Sequence, residues 1–268
     1  MRLNKKMRLG FALAFFGVLA GLLEAQPQKH AVHTISSGEA NLISLNPDYL
    51  VFPPYVKTSQ PVPLLIYLHG SGGGFAPLER IGGQARALLS GIDKFGKGPC
   101  YVVVPQCFQK TKSGSKSTWE PQDLNSLLDD LLKKLPIDSN RVYLTGTSMG
   151  GYGCWAWGGH SPERLAAVAP VVGGIGPGGP KDVSPDVKEW AKNLAKVPVY
   201  AFAGGKDRVV PAERSERMIS QIRKAGGKDT KLKIYPEAGH NARQLVYASK
   251  EFYDWMFSHS RTTLKSSK

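Results

Sequence analysis

One serine and its neighbours constrain the fold of this chain more than any other feature. Ser148 lies in the run Gly146-Thr147-Ser148-Met149-Gly150, directly after an apolar segment that ends at Thr145. Small residues on both sides of a serine allow a strand to turn sharply into a helix, which lifts the hydroxyl clear of the sheet. Such a run also occurs in ordinary glycine-rich turns. Its position between strand-like and helix-like sequence predicts an exposed nucleophile at a helix N-terminus.

Strand-like and helix-like segments alternate along the rest of the chain, and several of the strands are continuously apolar. Such strands are typical of a parallel sheet that helices cover on both faces. The sequence therefore predicts one α/β domain with a mostly parallel sheet and, because the loop at 173–185 is short, little or no lid. The predicted strands are 50–56, 64–68, 101–104, 141–145, 166–172, 199–203 and 232–235, and the predicted helices are 81–90, 123–134, 151–157, 187–194, 212–224 and 242–257.

The N-terminal residues have the layout of a secretory signal, with a basic start at 1–8 and an apolar run at 9–23. We expect cleavage after Ala25 and export to the periplasm or the extracellular space. Leu23 and Glu24 fit a cleavage site poorly, so an uncleaved membrane anchor is the alternative. The expected division of the chain is a signal peptide at 1–25, an N-terminal segment with an edge strand at 26–60, a catalytic domain at 61–260 and a polar tail at 261–268.

A serine nucleophile needs a base, and the base needs a residue that orients it. On a sheet of this kind the acid precedes the histidine in sequence, and both follow the serine. His240 lies in a small-residue loop after the last predicted strand, and Asp207 follows the preceding apolar strand. Both are therefore expected at the same sheet edge as Ser148. The alternatives are a surface-loop histidine, an aspartate that caps a helix, and Glu213 or Glu237 as weaker candidates for the acid.

Backbone N–H groups are needed to hold the oxyanion that forms when a serine attacks a carbonyl group. The loop His69-Gly70-Ser71-Gly72-Gly73-Gly74 follows the first strong strand, and its glycines let backbone amides face a substrate. We predict the amides of Ser71 and Met149 as the two donors. The loop lacks the Lys-Ser/Thr pair of a phosphate loop. His69 is predicted to be a structural hydrogen-bonding residue rather than a second base.

Composition narrows the choice of partners and cofactors. The chain is 41% hydrophobic and 21% charged, which argues against disorder, and its net charge is +14. The lysines and arginines are spread along the chain without a nucleic-acid motif. We therefore predict a solvated basic surface, no nucleic-acid partner, and membrane contact only through an uncleaved N-terminus. No metal site and no organic cofactor is expected, and Cys100, Cys107 and Cys154 are expected to be buried or free thiols.

Further motifs occur at intervals between residues 63 and 253. They are Leu68-His69-Gly70, Val104-Pro105-Gln106-Cys107, Trp119, Arg141-Val142-Tyr143-Leu144-Thr145-Gly146, Ser161-Pro162-Glu163-Arg164, Gly205-Lys206-Asp207 and Tyr235-Pro236-Glu237-Ala238-Gly239-His240.

Together with the turn at Ser148, these motifs resemble those of α/β-hydrolase esterases in the group that contains dienelactone hydrolase, phospholipase/carboxylesterase and prolyl-oligopeptidase-like peptidase domains. The resemblance implies a single-domain α/β-hydrolase fold with Ser148, Asp207 and His240 as a catalytic triad. It also suggests Trp119 near the substrate pocket, with a place in the core as the alternative. One departure follows the histidine, where 241–243 reads Asn-Ala-Arg instead of including an aromatic residue.

The sequence therefore predicts an exported serine hydrolase that cleaves carboxylic esters through an acyl-enzyme on Ser148. The expected substrates are small-molecule esters with short acyl groups or esters linked to polysaccharides. A serine peptidase of the prolyl-oligopeptidase-like type is one alternative, and a non-catalytic binding protein on the same fold is another. The sequence does not indicate an oligomeric state.

Overall fold

The computed structural model describes residues 30–36, 41–56, 58–96, 98–110, 114, 118–175 and 187–261 of the 268-residue chain. The predicted signal peptide at 1–25 lies outside the described residues. So do most of the predicted polar tail at 261–268 and most of the loop at 173–185.

The described strands form one mostly parallel sheet, in the order β1-β2-β4-β3-β5-β6-β7-β8. All pairs from β3 through β8 are parallel, whereas β2 pairs antiparallel with both β1 and β4. The predicted sheet is thereby confirmed. The strands are β1 (Ala31–Thr34), β2 (Leu45–Phe52), β3 (Val62–Leu68), β4 (Tyr101–Cys107), β5 (Ile137–Thr147), β6 (Ala167–Val171), β7 (Val199–Gly204) and β8 (Thr230–Tyr235).

Helices cover both faces of the sheet, as predicted. Residues of α3, α4, α5 and α6 join one apolar cluster, and residues of α1, α2, α7 and α8 join the other. The helices are α1 (Leu78–Ile81), α2 (Arg86–Phe95), α3 (Pro121–Lys134), α4 (Met149–His160), α5 (Val187–Leu194), α6 (Glu213–Lys224), α7 (Arg243–Tyr247) and α8 (Lys250–Met256).

Strand β3 shows why its sequence is apolar at every position. Leu64, Ile66 and Leu68 belong to one cluster, and Leu65 and Tyr67 belong to the cluster on the opposite face. Successive side chains of a strand point to opposite faces, so a strand covered on both sides needs apolar residues throughout. Full burial of one such side chain stabilises the fold by about 1.5–3 kcal/mol.

The predicted edge strand at 50–56 was wrong in both its bounds and its place. The strand is β2, which begins at Leu45 and ends at Phe52, directly before Pro53 and Pro54. Proline lacks an N–H for the ladder, which explains the early end. The edge is formed by β1, whose side chains are mostly exposed and give no apolar pattern in the sequence.

Two predicted helices are divided in the structure. The helix at 81–90 becomes α1 and α2, with a 3-10 turn at Gly82–Ala85 between them. The helix at 242–257 divides into α7 and α8 at Ser249, which is extended. The hydroxyl of Tyr253 donates a hydrogen bond to the carbonyl of Tyr247 at 2.8 Å. The side chain thus occupies an acceptor at the end of α7.

Two carboxylates of α3 attach the segment before β3 to the rest of the domain. Asp123 accepts the backbone N–H groups of Ile43, Ser44 and Leu45 at 3.0, 2.8 and 3.0 Å. About two turns further along α3, Asp130 accepts the Ser36 amide at 2.8 Å and the Tyr49 hydroxyl at 2.8 Å. Both aspartates are buried, so these bonds replace the water that a carboxylate otherwise needs.

Candidate active site

Ser148 lies in the turn between β5 and α4, with φ 59° and ψ −115°. A positive φ is rare for a residue with a side chain and costs about 1–3 kcal/mol. The surroundings hold it in place, since its N–H donates to the carbonyl of Val171 at 3.0 Å. A Cβ at Gly150 would lie 1.9 Å from the Leu68 carbonyl oxygen, and one at Gly146 would lie 2.6 Å from that of Gly150. Only glycine fits at these two positions.

A continuous chain of hydrogen bonds joins three of the predicted side chains. His240 Nε2 lies 2.9 Å from Ser148 Oγ, and His240 Nδ1 lies 2.8 Å from Asp207 Oδ2. The three residues follow β5, β7 and β8, whose carboxyl ends meet at one edge of the sheet. The structure thus brings together residues that are up to 92 positions apart in the sequence.

The carboxylate of Asp207 is fixed from both sides. Its second oxygen, Oδ1, accepts the backbone N–H groups of Val209 and Val210 at 2.8 and 2.9 Å. The Asp207 side chain is fully buried, whereas the His240 side chain is 26% exposed. A buried carboxylate with three donors has one orientation, so it can hold the imidazole in one tautomer and stabilise a positive charge on it.

The two weaker candidates for the acid lie elsewhere. Glu213 is 62% exposed and forms an ion pair with Arg217, and Glu237 is 83% exposed and forms an ion pair with Lys206. The carboxylate that contacts His240 is that of Asp207.

The two predicted oxyanion donors begin helical turns on either side of the serine. Met149 is the first residue of α4, and Ser71 is the first residue of a 3-10 turn at Ser71–Phe75. The first N–H groups of a helix have no acceptor within that helix. The two residues line the same groove, described below, and Ser71 also lines the cavity that contains Ser148.

His69 is buried and its ring connects the loop after β3 to the end of β4, in line with the structural role predicted for it. Its Nδ1 donates to the Gly70 carbonyl at 2.7 Å, and its Nε2 accepts the Cys107 N–H at 3.0 Å. Burial lowers the pKa of the imidazole to about 4, so it stays neutral in one tautomer near neutral pH. The loop that carries Ser71 is thereby attached to the end of β4.

Trp119 does not line the cavity at Ser148, which corrects one reading of its role. The side chain is 1% exposed, and its Nε1 donates to the carbonyl of His69 at 3.2 Å. The indole and imidazole rings meet edge to face, with 4.8 Å between their centroids. Trp119 belongs to the core and supports His69, which is the alternative that the sequence left open.

Two cavities of different chemistry meet at Ser71. The larger, of about 720 Å³, is lined mainly by residues with polar side chains, including the serine and the histidine. The smaller, of about 320 Å³, has an apolar wall. The residues that line the larger cavity include Ser148, His240, Gln84, Arg86, Arg243 and Gln244. The smaller cavity is here called the aromatic groove. The residues that line it include Ser71, Met149, Phe75, Phe108, Gln109 and Lys110.

Sequence reasoning missed several polar residues that line the larger cavity, namely Gln84, Arg86, Arg243 and Gln244. Arg243 lies three residues after His240, and its place in the sequence was seen only as a departure from the related group. Gln84 and Arg86 come from the segment around the 3-10 turn at Gly82–Ala85, which carries no motif. The topology of the sheet, rather than any local signal, places that segment beside the serine.

The three cysteines are buried free thiols. Burial raises the pKa of Cys100 and Cys107 to about 12, so both are protonated near neutral pH. Within the described ranges, no group of three His, Cys, Asp or Glu side chains is arranged to hold a metal ion. No helix in that part of the chain has both the length and the apolar content needed to cross a bilayer.

Known proteins match this chain in sequence over its central half. The sequence profile of the dienelactone hydrolase family matches residues 105–245. A protein of Yersinia pestis, assigned as a carboxymethylenebutenolidase, is 31% identical over 143 residues, which is 44% of this chain and 50% of that protein. Poly(3-hydroxyalkanoate) depolymerase C of Paucimonas lemoignei is 30% identical over 142 residues, which is 48% of this chain and 32% of the depolymerase. The alignments thus span half or less of these relatives.

Solved structures match over most of the chain. A thermostable esterase superposes with a TM-score of 0.68 and 26% identity, covering 86% of this chain and 63% of that one. An acylaminoacyl peptidase of Pyrococcus horikoshii superposes with a TM-score of 0.62 and 16% identity over 87% of this chain and 42% of that one, which shows a shared fold alone. Because the family profile matches more than half of the chain, and because the sheet and its helices have the α/β-hydrolase arrangement, this chain belongs to the dienelactone hydrolase family of hydrolases.

Proposed function

We propose that this hydrolase cleaves carboxylic esters through an acyl-enzyme on Ser148. The observation that supports the proposal is the unbroken hydrogen-bonded chain from Ser148 Oγ through His240 to Asp207. A serine hydroxyl is a weak nucleophile unless a base removes its proton during attack. His240 has the geometry for that task, and the buried Asp207 carboxylate stabilises the imidazolium that results.

The reaction proceeds in two halves. Ser148 Oγ attacks the ester carbonyl and passes its proton to His240 Nε2, while the amides of Ser71 and Met149 hold the oxyanion. One such donor is worth about 3–4 kcal/mol in a comparable enzyme. The bond from carbon to the alcohol oxygen then breaks, and His240 returns its proton to that oxygen. Water, activated by His240 in the same way, releases the acid and restores the serine.

The position of His240 supports an assignment of the two halves of the ester to the two cavities. The departing alcohol oxygen must lie within hydrogen-bond reach of the His240 ring in order to receive its proton. His240 lines the larger cavity, where Arg86, Arg243 and two glutamines also lie. The alcohol half therefore extends into a polar and basic space. Sugars and other alcohols that carry further hydroxyl or acidic groups suit this space best. Esters in which a polysaccharide supplies the alcohol half belong to this class.

Esters are favoured over peptides by the relatives that are similar in sequence. The names of the Yersinia and Paucimonas proteins denote enzymes that act on a lactone and on a polyester, and the thermostable esterase is 26% identical. Two proteins named as peptidases, the acylaminoacyl peptidase of Pyrococcus horikoshii and a dipeptidyl aminopeptidase IV of Bacteroides ovatus, are 16% and 17% identical and share the fold alone. A peptidase remains a second outcome of the experiment below.

Active-site labelling and matched substrates test the proposal. A fluorophosphonate should modify Ser148 in the wild type and should leave Ser148→Ala unlabelled. An ester and the amide of the same acid and leaving group should then be compared with both proteins, and the ester should be hydrolysed far faster by the wild type. Labelling at another residue, or hydrolysis by Ser148→Ala at the wild-type rate, would refute the nucleophile. A preference for the amide would favour the peptidase.

Export through a cleaved N-terminal signal is also part of the proposal. The basic start at 1–8 and the apolar run at 9–23 support it. Mass spectrometry of the protein from its native host should find an N-terminus near Gln26, in a periplasmic or secreted fraction. An intact Met1 in the membrane fraction would indicate an anchor instead.

A further inference from the structure

The aromatic groove beside the serine exposes apolar rings that the proposed reaction does not use. Phe75 is 75% exposed and Phe108 is 40% exposed, and both line this space of about 320 Å³ together with Met149. Single exposed apolar side chains are normal on a protein surface. Two phenylalanines in one groove, next to both proposed oxyanion donors, form a binding surface for part of a substrate.

The walls of the groove are held in place before any substrate arrives. Phe75 ends the 3-10 turn that begins at Ser71, and Gln106 Nε2 donates to the carbonyls of Gly73 and Ala76 at 2.9 and 2.7 Å. On the other wall, the N–H of Phe108 donates to the Ser44 carbonyl at 2.8 Å. Because side-chain and backbone bonds fix both segments, binding does not have to order them, and this preorganisation favours affinity.

The positions of the two cavities relative to the serine indicate which half of the ester faces this groove. His240 and the alcohol half lie on the side of the larger cavity, while Met149 and Ser71 of the proposed oxyanion hole lie along the groove. A carbonyl carbon bound to Ser148 Oγ, with its oxygen at those amides, has two remaining directions for its substituents. One is taken by the leaving alcohol, and the other leads into the aromatic groove.

We propose that the groove binds a planar aromatic acyl group between Phe75 and Phe108, so that the substrate is the ester of an aromatic acid with a polar alcohol. This inference rests on the proposed ester hydrolysis. Aromatic rings attract one another in offset or edge-to-face arrangements, and the thioether of Met149 makes a favourable contact with a ring. Gln109 and Lys110 at the same groove can bind hydroxyl groups on the ring. A long flexible acyl chain would lose more conformational freedom on binding and would gain no ring contact.

The test compares esters that differ in the acyl half. We would measure kcat/KM for p-nitrophenyl acetate, cyclohexanecarboxylate and benzoate with the wild type, Phe75→Leu, Phe108→Leu and the double variant. Each ring should account for about a 2- to 12-fold preference for benzoate, the range that aromatic pairs contribute. The double variant should therefore lose most of that preference, which is measured as the ratio of the benzoate rate to the acetate rate within each protein. Tyr55→Leu is the control, because Tyr55 is an exposed aromatic residue that lines neither cavity.

A second pair of substrates tests which half enters the groove. Methyl cinnamate carries its ring in the acyl half, and cinnamyl acetate carries it in the alcohol half. The phenylalanine variants should slow hydrolysis of methyl cinnamate far more than hydrolysis of cinnamyl acetate, whereas Tyr55→Leu should leave the ratio of the two rates at the wild-type value. The opposite result would overturn the assignment of the acyl half, and a wild type without any preference for aromatic acids would overturn the inference. Failure of the proposed function is distinct, since Ser148→Ala would then hydrolyse acetate as fast as the wild type.

Discussion

The loop after β3 and the loop after β8 each place a histidine at the same edge of the sheet, but the two rings have opposite surroundings. His69 is fully buried, and both of its nitrogens bind backbone groups, the carbonyl of Gly70 and the amide of Cys107. The ring of His240 is partly exposed, and both of its nitrogens face side chains, those of Ser148 and Asp207.

The difference shows that the partners of a histidine, rather than its position at the sheet edge, decide what it can do. An amide and a carbonyl cannot exchange a proton with the His69 ring, and burial keeps that ring neutral. The hydroxyl of Ser148 can exchange a proton with the ring of His240, and the carboxylate of Asp207 can stabilise the protonated ring. The first histidine therefore holds a loop in place, and the second has the surroundings of a general base.

Removal of the His240 imidazole should produce the largest effect. His240→Ala should reduce kcat by about 10⁶-fold, the loss measured for the corresponding histidine in a serine protease. The melting temperature should change little, because the ring is partly exposed. Steady-state kinetics and thermal unfolding would measure the two effects. His160→Ala is the control, since His160 is an exposed histidine at the end of α4. Equal losses in both variants would contradict the role of His240.

Replacement of the orienting carboxylate should have the next largest effect. Asp207→Asn should reduce kcat by about 10⁴-fold, because an amide neither holds the reactive tautomer nor stabilises the imidazolium. Rates should be compared with Glu213→Gln and Glu237→Gln, which remove exposed carboxylates and should keep the wild-type rate. Loss of activity in Glu213→Gln, with Asp207→Asn unaffected, would transfer the role to Glu213.

Removal of the buried histidine should lower the stability more than the rate, which is the reverse of the result expected for His240→Ala. His69→Ala leaves a cavity and deprives the Cys107 amide of its acceptor, so the free energy of unfolding should fall by about 2–4 kcal/mol. The rate should fall far less than in His240→Ala, through a looser Ser71 loop. Urea unfolding and kinetics on the same samples would show both effects. A stable variant with the activity loss of His240→Ala would mean that His69 takes part in the chemistry.

The last effect is on the pH dependence of the free energy of unfolding. Burial lowers the pKa of His69 from 6.5 to about 4 in the folded protein. Between these values the unfolded chain binds a proton that the folded chain does not, so stability rises with pH. The contribution of the neutral His69 ring to the free energy of unfolding is fully present above about pH 6.5. It is lost as the pH falls to about 4, and the loss is on the order of 3 kcal/mol. Urea unfolding at several pH values should show a shallower dependence in His69→Gln. Identical slopes in variant and wild type would refute the buried neutral ring.

Local sequence predicted the positions of Ser148, Asp207 and His240 because each lies shortly after a strand, and the strand ends of a parallel sheet share one edge. The direction of a side chain has no such local signal. Trp119 follows no strand and precedes α3, and only the packing against His69 and Gly153 shows that it points into the core.

Three-dimensional proximity explains the other differences. Gln84 and Arg86 reach the larger cavity from a segment that the sequence marks only as a weak helix. The edge strand β1 has no apolar alternation, because only its backbone pairs with β2 and its side chains face mostly outward. Such elements are specified by pairing with distant residues, which a linear pattern does not contain.

The two carboxylates of α3 have a consequence for the order in which the molecule is assembled. Ile43 and Ser36 bind to aspartates that lie 80 and 94 positions later in the chain. Synthesis runs from the N-terminus, so these amides emerge long before their acceptors exist. Although β1 and β2 are made first, they can be fixed on the sheet only after β4 and α3 have formed. β1 and β2 therefore gain their full set of hydrogen bonds only after α3 has been made, although they precede it in the chain.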